Sequence, residues 1–272
     1  MATPELTDLT PTKGAIGMAG LTGRTALVTG GSRGIGRATS IRLARDGAVV
    51  AVHYGHDAAA AKETVARIEA AGGQAFVVEA ELGVPGDASA LWEAFDRGAA
   101  ACGAPDGLDI LVNNAGISMP KGIGEVTEED YERVFAVNVK APFFIIQQGL
   151  GRLHDGGRII NISSGATRFA IPQIVSYSMT KGAIDTLTRT LAYALGSRGI
   201  TVNAVAPGFT DTEMNRTLAQ PETRQRLASA SVFRRLGEPE DLADVVAFLA
   251  SDDSRWVTGQ YLDASGGVQL GV

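Results

Sequence analysis

The feature of this sequence that most constrains its fold is an alternation of short apolar segments with longer amphipathic ones. The amphipathic segments carry apolar residues at helical spacing, as at Ile184, Leu187 and Leu191. Strands that alternate with helices form βαβ units, which build a parallel sheet with helices on both faces. The sequence therefore predicts a doubly wound α/β fold with a parallel sheet of about seven strands. The predicted strands are 24–29, 48–53, 74–79, 108–112, 157–162, 200–206 and 261–263.

The remaining periodic segments are predicted helices, and residues 1–22 belong to neither class. That first segment carries threonine, proline and glycine without periodicity, so we predict a flexible N-terminal extension. No second change of composition follows, and residues 23–272 are predicted to form a single domain. Asp57 can cap the second predicted helix, and Thr127 followed by acidic residues is a good start for the fourth. The predicted helices are 35–46, 57–71, 87–101, 127–150, 175–197, 213–230 and 239–250.

Charge and cysteine content exclude several classes of partner and site. The net charge is −6 and no basic run stands out, which argues against nucleic acid and anionic membranes as partners. A single cysteine, Cys102, excludes an internal disulfide and a cysteine-rich metal site. No HExxH motif is present, so we expect no metal. Without a membrane-spanning run or a secretory signal, a soluble cytoplasmic protein is expected.

A glycine-rich turn, TGGSRGIG at 29–36, lies between the first predicted strand and the first predicted helix. A helix N-terminus offers unpaired N–H groups to a pyrophosphate, and glycines let the backbone approach it closely. The spacing of Gly30, Gly34 and Gly36 differs from G-x-G-x-x-G, so that fingerprint does not apply. The turn favours nucleotide binding and leaves open a βα turn that binds nothing.

Asn113-Asn114-Ala115-Gly116 follows the fourth predicted strand. Ligands of open parallel sheets bind outside the carboxyl ends of the strands, where amides and small residues can line a cofactor. An Asx turn that merely ends the strand is the alternative.

Tyr177 and Lys181 are four residues apart, so on a helix their side chains lie on one face. An ammonium beside the phenol is expected to lower the tyrosine pKa and to make it an acid or base near neutral pH. Lowering that pKa by about three units requires roughly 4 kcal/mol. An amphipathic helix with an incidental tyrosine and lysine is the alternative.

Six motifs occur together and in order: TGGSRGIG, NNAG, Val137-Asn138-Val139, Ser164, Tyr177-Ser178-Met179-Thr180-Lys181 and Pro207-Gly208. Together they resemble the short-chain dehydrogenases/reductases, from about residue 22 to the C-terminus. The stretch AVAPGFTDTEM, 204–214, is most similar to 3-oxoacyl-acyl-carrier-protein reductases and related carbonyl reductases. The resemblance implies a Rossmann-type domain and an oxidoreductase that converts a ketone into a secondary alcohol.

The resemblance also implies catalytic residues. Tyr177 would donate a proton to the carbonyl oxygen, Ser164 would hydrogen-bond that oxygen, and Lys181 would lower the tyrosine pKa and bind the nicotinamide ribose. Asn138 would hold a helix kink and a water that links Lys181 to solvent. Ser163 competes with Ser164, but the family places its serine second in such a pair, thirteen residues before the tyrosine.

The implied cofactor is NADP(H), with NAD as the alternative. The tip of the second strand has the sequence His53-Tyr54-Gly55-His56 and lacks the acidic residue that is usual in NAD enzymes. Arg33 lies where NADP-preferring relatives carry a basic residue. Glu81-Leu82 replaces the aspartate that relatives direct at the adenine. The implied cofactor contacts are Gly30, Ser32, Arg33, Gly34, Ile35, Gly36, Tyr54, Glu81, Leu82, Asn113, Ala115, Gly116, Tyr177, Lys181, Pro207, Gly208, Thr210 and Thr212.

The resemblance implies a class of substrate and a type of assembly, but not the identity of the substrate. We expect a small-molecule ketone or an acyl thioester beneath a flap at 211–235, with acyl thioesters, polyketide ketones, steroids and small diketones all left open. We also expect a homotetramer paired through helices 127–150 and 175–197. Two other functions stay open: an NAD-dependent alcohol dehydrogenase of the same family, and a catalytically silent nucleotide-binding sensor or scaffold.

Overall fold

The computed structural model describes residues 20–214, 220–268 and 270. Most of the extension predicted at residues 1–22 lies outside this range, and Leu218 of the predicted flap does as well. Within the predicted extension, Leu21 is 1% exposed in the hydrophobic core, and its N–H donates to the Asp46 carbonyl at 2.7 Å. The packed part of the chain therefore already includes Leu21.

The described residues contain one parallel sheet of seven strands in the order β3-β2-β1-β4-β5-β6-β7, which confirms the predicted fold class. The order reverses between β1 and β4, and such a switch point opens a crevice at the carboxyl ends of the strands. The strands are β1 Thr25–Val28, β2 Val49–Tyr54, β3 Gln74–Glu79, β4 Leu108–Asn113, β5 Leu153–Ile162, β6 Thr201–Pro207 and β7 Tyr261–Ala264.

The helices of the described residues follow the predicted segments with two differences. The predicted helix 127–150 is divided by a π-helical turn, and the one predicted at 213–230 begins only at Pro221. The helices are α1 Gly34–Arg45, α2 Ala58–Ala70, α3 Asp87–Cys102, α4 Glu128–Phe135, the π turn Ala136–Lys140, α5 Ala141–Gly149, α6 Val175–Leu195, α7 Pro221–Ala230 and α8 Pro239–Ala250. Short 3-10 turns lie at Gly165–Thr167, Pro172–Ile174, Gly196–Arg198 and Asp252–Ser254.

Both faces of the sheet are covered by helices, and β1 shows how its residues are divided between the faces. Its side chains alternate, so that Val28 packs in one core cluster with Leu43 of α1, and Leu27 packs in the other with Trp92 of α3. All four β1 residues are buried, as expected of a strand covered on both sides. This rigid centre carries the loops at the carboxyl end of the sheet.

Two helices begin at the predicted capping residues. Thr127 Oγ1 accepts from the Asp130 N–H at 3.1 Å, and the Asp130 carboxylate accepts from the Thr127 N–H at 3.0 Å. Lys121 also donates to that carboxylate, and this hydrogen bond is the main reason that the pKa of Asp130 is lowered to about 2. Asp57 caps α2 by accepting from the Ala60 N–H at 2.9 Å.

No helix in the described part of the chain combines the length and the apolar character needed to cross a lipid bilayer.

Candidate active site

The glycine-rich turn lies at the switch point of the sheet and is held from both neighbouring strands. The Asn114 side-chain amide donates to the carbonyls of Thr29 and Gly30, at 2.8 and 3.1 Å. The Gly30 N–H donates to His53 Nδ1 at 2.9 Å. A Cβ on Gly36 would lie 2.1 Å from the Gly30 carbonyl oxygen, so the start of α1 packs directly on the turn. The turn is thus fixed in one shape by backbone contact.

The N-terminus of α1 has the features of an anion site. Arg33 is its N-cap and makes no side-chain cap, and the first turn of α1 contains no acidic residue. Gly34 has a φ of +50°, in the left-handed region that favours glycine, and a Cβ there would lie 3.3 Å from Thr212. The unpaired N–H groups that a helix N-terminus offers are suited to a phosphate.

The Arg33 guanidinium, at the start of α1, pairs with carboxylates. It lies 3.2 Å from Glu213 and 3.9 Å from Asp57, and all three side chains are largely exposed. Exposed ion pairs of this kind stabilise little, so a phosphate can replace either partner.

The residues predicted around the adenosine lie close together but differ in exposure. Tyr54 is 7% exposed within the core, so at most an edge of its ring can touch a ligand. Glu81 is half-exposed, with a carboxylate oxygen 3.8 Å from His56 Nε2. Leu82 reaches inward and lines a small cavity with Asn113 and Lys181.

Ser164, Tyr177 and Lys181 converge at the end of β5. Ser164 follows the strand, its Oγ accepts from the Ala166 N–H at 3.2 Å, and its side chain hydrogen-bonds Tyr177. Lys181 Nζ lies 5.6 Å from the centre of the Tyr177 ring and donates to the Ile162 carbonyl at 2.7 Å. Tyr177 and Lys181 occupy successive turns of α6, as the sequence predicts.

The pKa of Lys181 is lowered, and the pKa of Tyr177 shifts in the direction opposite to the one expected. Burial lowers the pKa of Lys181 to about 8, opposed by the negative charge of Asp185 one turn further along α6. Burial raises the pKa of Tyr177, and only the hydrogen bond from Ser164 acts in the other direction. The lowered tyrosine pKa expected from the sequence is therefore not found, because burial of the phenol is the dominant effect.

Asn138 lies in the π turn, and its side chain connects this turn with the loop after β4 and with α6. Its Nδ2 donates to the Ile117 carbonyl at 2.9 Å and to Thr180 Oγ1 at 3.1 Å, while its Oδ1 accepts from the Ile117 N–H at 2.9 Å. The helix irregularity expected at Asn138 is this π turn.

A cavity of about 10 Å³ lies between Asn138, Lys181 and Asn113. That volume holds roughly one water. Asn113 donates to the Asn161 side chain at 2.9 Å, but its own buried Oδ1 makes no hydrogen bond. The free oxygen, the ammonium and the cavity together fit a single bound water.

The other predicted contacts lie on both sides of the same crevice. A Cβ on Gly116 would lie 3.7 Å from Lys181 Nζ, and Gly208 packs against Ser265. Thr210 donates to the Gly208 carbonyl at 3.3 Å. Ser32 and Ile35 are less accessible, since Ser32 is buried and Ile35 packs against the core. Ala115 lines the small cavity, and Pro207 ends β6.

Aromatic side chains lie near Ser164. The rings of Phe169 and Phe209 have centroids 6.2 Å apart, and the Tyr261 hydroxyl donates to the Ser164 carbonyl at 3.2 Å. The Arg168 guanidinium covers the Tyr261 ring at 4.4 Å. Of the flap residues, Met214 and Phe233 are exposed apolar side chains.

Sequence reasoning missed the roles of His53, Ser163 and Asp185. Ser163 donates to the Asp185 carboxylate at 2.5 Å, next to both Ser164 and the Ile162 carbonyl that binds Lys181. The spacing of Asp185 four residues after Lys181 was the available signal for it. His53 offered only its place at a strand tip.

Comparison with known proteins gives consistent matches over nearly the whole chain. Residues 30–269 match a family model described as enoyl-(acyl carrier protein) reductase. An uncharacterized oxidoreductase of Methylorubrum extorquens is 44% identical over 258 residues, which cover 93% of this chain and 100% of that protein.

Two solved structures of ketoreductases are similar in sequence and in fold. The promiscuous reductase LugOII, which catalyses keto-reduction at C1 during lugdunomycin biosynthesis, is 54% identical with a TM-score of 0.89, covering 92% of this chain and 99% of its own. The landomycin C-6 ketoreductase LanV, with bound NADP and rabelomycin, is 53% identical with a TM-score of 0.86, covering 93% of this chain and 99% of its own.

Proposed function

The chain belongs to the short-chain dehydrogenase/reductase family and is an oxidoreductase, and we propose that it reduces a ketone to a secondary alcohol with NADPH. The observation that carries the proposal is the convergence of Ser164, Tyr177 and Lys181 at the end of β5, with Tyr177 hydrogen-bonded to Ser164. A catalytically silent nucleotide sensor would not require this arrangement.

The crevice fits an NADP(H) molecule by its shape and charge. A glycine-rich turn fixed by close packing against Gly36, and a helix N-terminus without acidic residues, suit the pyrophosphate. Arg33, the N-cap of α1, would pair with the 2′-phosphate in place of Glu213. The LanV structure, which contains NADP, supports the same cofactor here.

Bound NADPH would supply the hydride to the carbonyl carbon. The Ser164 hydroxyl accepts from the Ala166 N–H and hydrogen-bonds Tyr177, and a substrate oxygen placed between the two side chains would take over the hydrogen bond from Ser164. Tyr177 would transfer its phenolic proton to that oxygen as negative charge develops there. Lys181 donates one N–H to the Ile162 carbonyl and would direct the other two toward the nicotinamide ribose and Tyr177.

We further propose that the substrate is a flat aromatic ketone of the polycyclic polyketide type. Phe169 and Phe209, which lie near Ser164, offer ring faces on which such a molecule can stack. The similarity to LugOII and to LanV with bound rabelomycin supports this class. A 3-oxoacyl thioester is the alternative, favoured by the description of the matching family model.

The test of the proposed function is NADPH consumption by the purified protein with three kinds of ketone: a polycyclic aromatic ketone, an acetoacetyl thioester and a small aliphatic diketone. Consumption with the aromatic ketone above all is the expected result. Faster NADPH consumption with the thioester would show that the substrate is an acyl thioester instead. Tight NADPH binding without consumption by any of the three would favour the sensor.

The Arg33→Gln variant is expected to lose affinity for NADPH and not for NADH. Removing a charge-assisted hydrogen bond costs about 1.5–3 kcal/mol, so the dissociation constant for NADPH should rise roughly 10- to 100-fold. Isothermal titration with each cofactor measures the effect, and NADH serves as the internal control. Equal weakening of both cofactors would show that Arg33 does not recognise the 2′-phosphate.

The homotetramer remains a prediction. Exposed Tyr131, Phe143 and Met179 on α4, α5 and α6 support it, since these helices are the ones expected at the interface.

A further inference from the structure

His53 is a buried histidine whose two ring nitrogens bind two different loops. It lies at the carboxyl end of β2 and is 2% exposed. Nδ1 accepts from the Gly30 N–H at 2.9 Å, and Nε2 lies 2.9 Å from the Ala80 carbonyl oxygen. The His53 carbonyl also accepts from the Gly31 N–H at 2.8 Å. His53 thus connects the glycine-rich turn with the segment that follows β3.

These two partners determine the state of the imidazole. A backbone N–H can only donate, so Nδ1 must present its lone pair to Gly30. A backbone carbonyl can only accept, so the proton must be on Nε2. Burial lowers the pKa of His53 to about 4, which keeps this neutral tautomer over the ordinary pH range. The ring therefore acts as a fixed spacer with one acceptor and one donor.

The two loops are the two ends of the adenosine half of the cofactor crevice. Gly30 begins the turn that faces the pyrophosphate space at the start of α1. Ala80 directly precedes Glu81 and Leu82, the residues predicted at the adenine. A change in the length of the His53 spacer would alter the separation of these two loops, because both partners are backbone atoms.

We propose that His53 is a positioning residue for the cofactor, which sets the glycine-rich turn and the adenine loop at a fixed separation through its two ring nitrogens. This inference rests on the proposed function, since it assumes that the crevice binds NADP(H).

Two substitutions separate the two hydrogen bonds. In His53→Asn the amide oxygen can take the place of Nδ1 and keep the Gly30 contact, while the Ala80 contact is lost. In His53→Gln the amide nitrogen can reach the position of Nε2 and keep the Ala80 contact, while the Gly30 contact is lost. Two probes report on the two ends of the crevice: NADPH on both, and adenosine, which lacks the 2′-phosphate proposed to bind Arg33, on the adenine end alone.

Titration calorimetry of the wild-type chain and the two variants measures the affinities. Loss of one buried hydrogen bond corresponds to about a tenfold change in affinity. His53→Gln is expected to weaken NADPH binding about tenfold and to leave adenosine binding within about twofold. His53→Asn is expected to weaken both probes by about the same factor. Wild-type affinities in both variants, or an identical loss of both probes in both variants, would overturn the proposal.

Failure of the proposed function gives a different result. A wild-type chain that binds NADPH without reducing a ketone would overturn the proposed function alone, whereas a wild-type chain that does not bind NADPH would overturn the role of His53 as well. If the variants do not fold, a measurement on the wild-type chain still tests the proposal. The sequence has three histidines, so nitrogen NMR of histidine-labelled protein resolves each ring. The His53 signals should show the Nε2–H tautomer and shift on saturation with NADPH. Another tautomer, or His53 signals that NADPH leaves unchanged, would overturn the proposal.

Discussion

The Tyr177→Phe variant is expected to bind NADPH like the wild-type protein and to reduce ketone at least about a hundredfold more slowly, the lower scale of general acid catalysis. The change removes the phenolic proton and its hydrogen bond with Ser164 but little volume. Proton donation to the carbonyl oxygen then has no source at that position. NADPH titration followed by single-turnover ketone reduction separates binding from chemistry.

Tyr193→Phe is the matched control for this experiment. Tyr193 lies on the same helix, α6, and its side chain is 94% exposed, so the same atom is removed far from the crevice. The control should retain wild-type turnover. If Tyr177→Phe also retained it, the assignment of the proton donor to Tyr177 would be wrong.

The Gly36→Ala variant is expected to lose both NADPH affinity and stability. Its Cβ would lie 2.1 Å from the Gly30 carbonyl oxygen and 2.5 Å from Asn114 Nδ2, which hydrogen-bond each other. Relief requires backbone movement of the turn, and such overpacking costs about 1–3 kcal/mol of unfolding free energy. We expect Tm to fall by roughly 2–4 °C for each kcal/mol, and NADPH affinity to fall more than about tenfold.

Gly151→Ala provides the control for that substitution. A Cβ on Gly151 meets no atom within 4 Å, and its φ lies outside the left-handed region. Thermal unfolding and NADPH titration should leave Gly151→Ala close to wild type. Wild-type values in Gly36→Ala would show that the turn can move and that its shape is not what binds the cofactor.

Much of the fold could be predicted from local sequence, because strand burial and helix capping are local. The bounds of β3 agree with the prediction, and Asp57 and Thr127 cap helices as expected. The break between α4 and α5 depends on contacts that no local pattern contains. Asn138 bonds Ile117 and Thr180, which are 21 and 42 residues away in the chain.

The candidate site divides in the same way. Tyr177 and Lys181 lie on one face of α6, and this placement was predictable because they are four residues apart. The pairing of Arg33 with Glu213 joins residues 180 positions apart, and the hydrogen bond of His53 to Gly30 depends on sheet order. The direction of the Tyr177 pKa was also beyond the sequence, since it depends on burial of the phenol.

The central claim is hydride transfer from NADPH to a ketone carbon in the crevice beside Tyr177. Reduction of a polycyclic aromatic ketone with NADPH that carries deuterium at the transferring position of the nicotinamide tests it most directly. The account predicts an alcohol with one deuterium on the carbinol carbon from the wild-type protein, and almost none from Tyr177→Phe in the same time. An unlabelled alcohol, or no alcohol from a wild-type protein that binds NADPH, would contradict it.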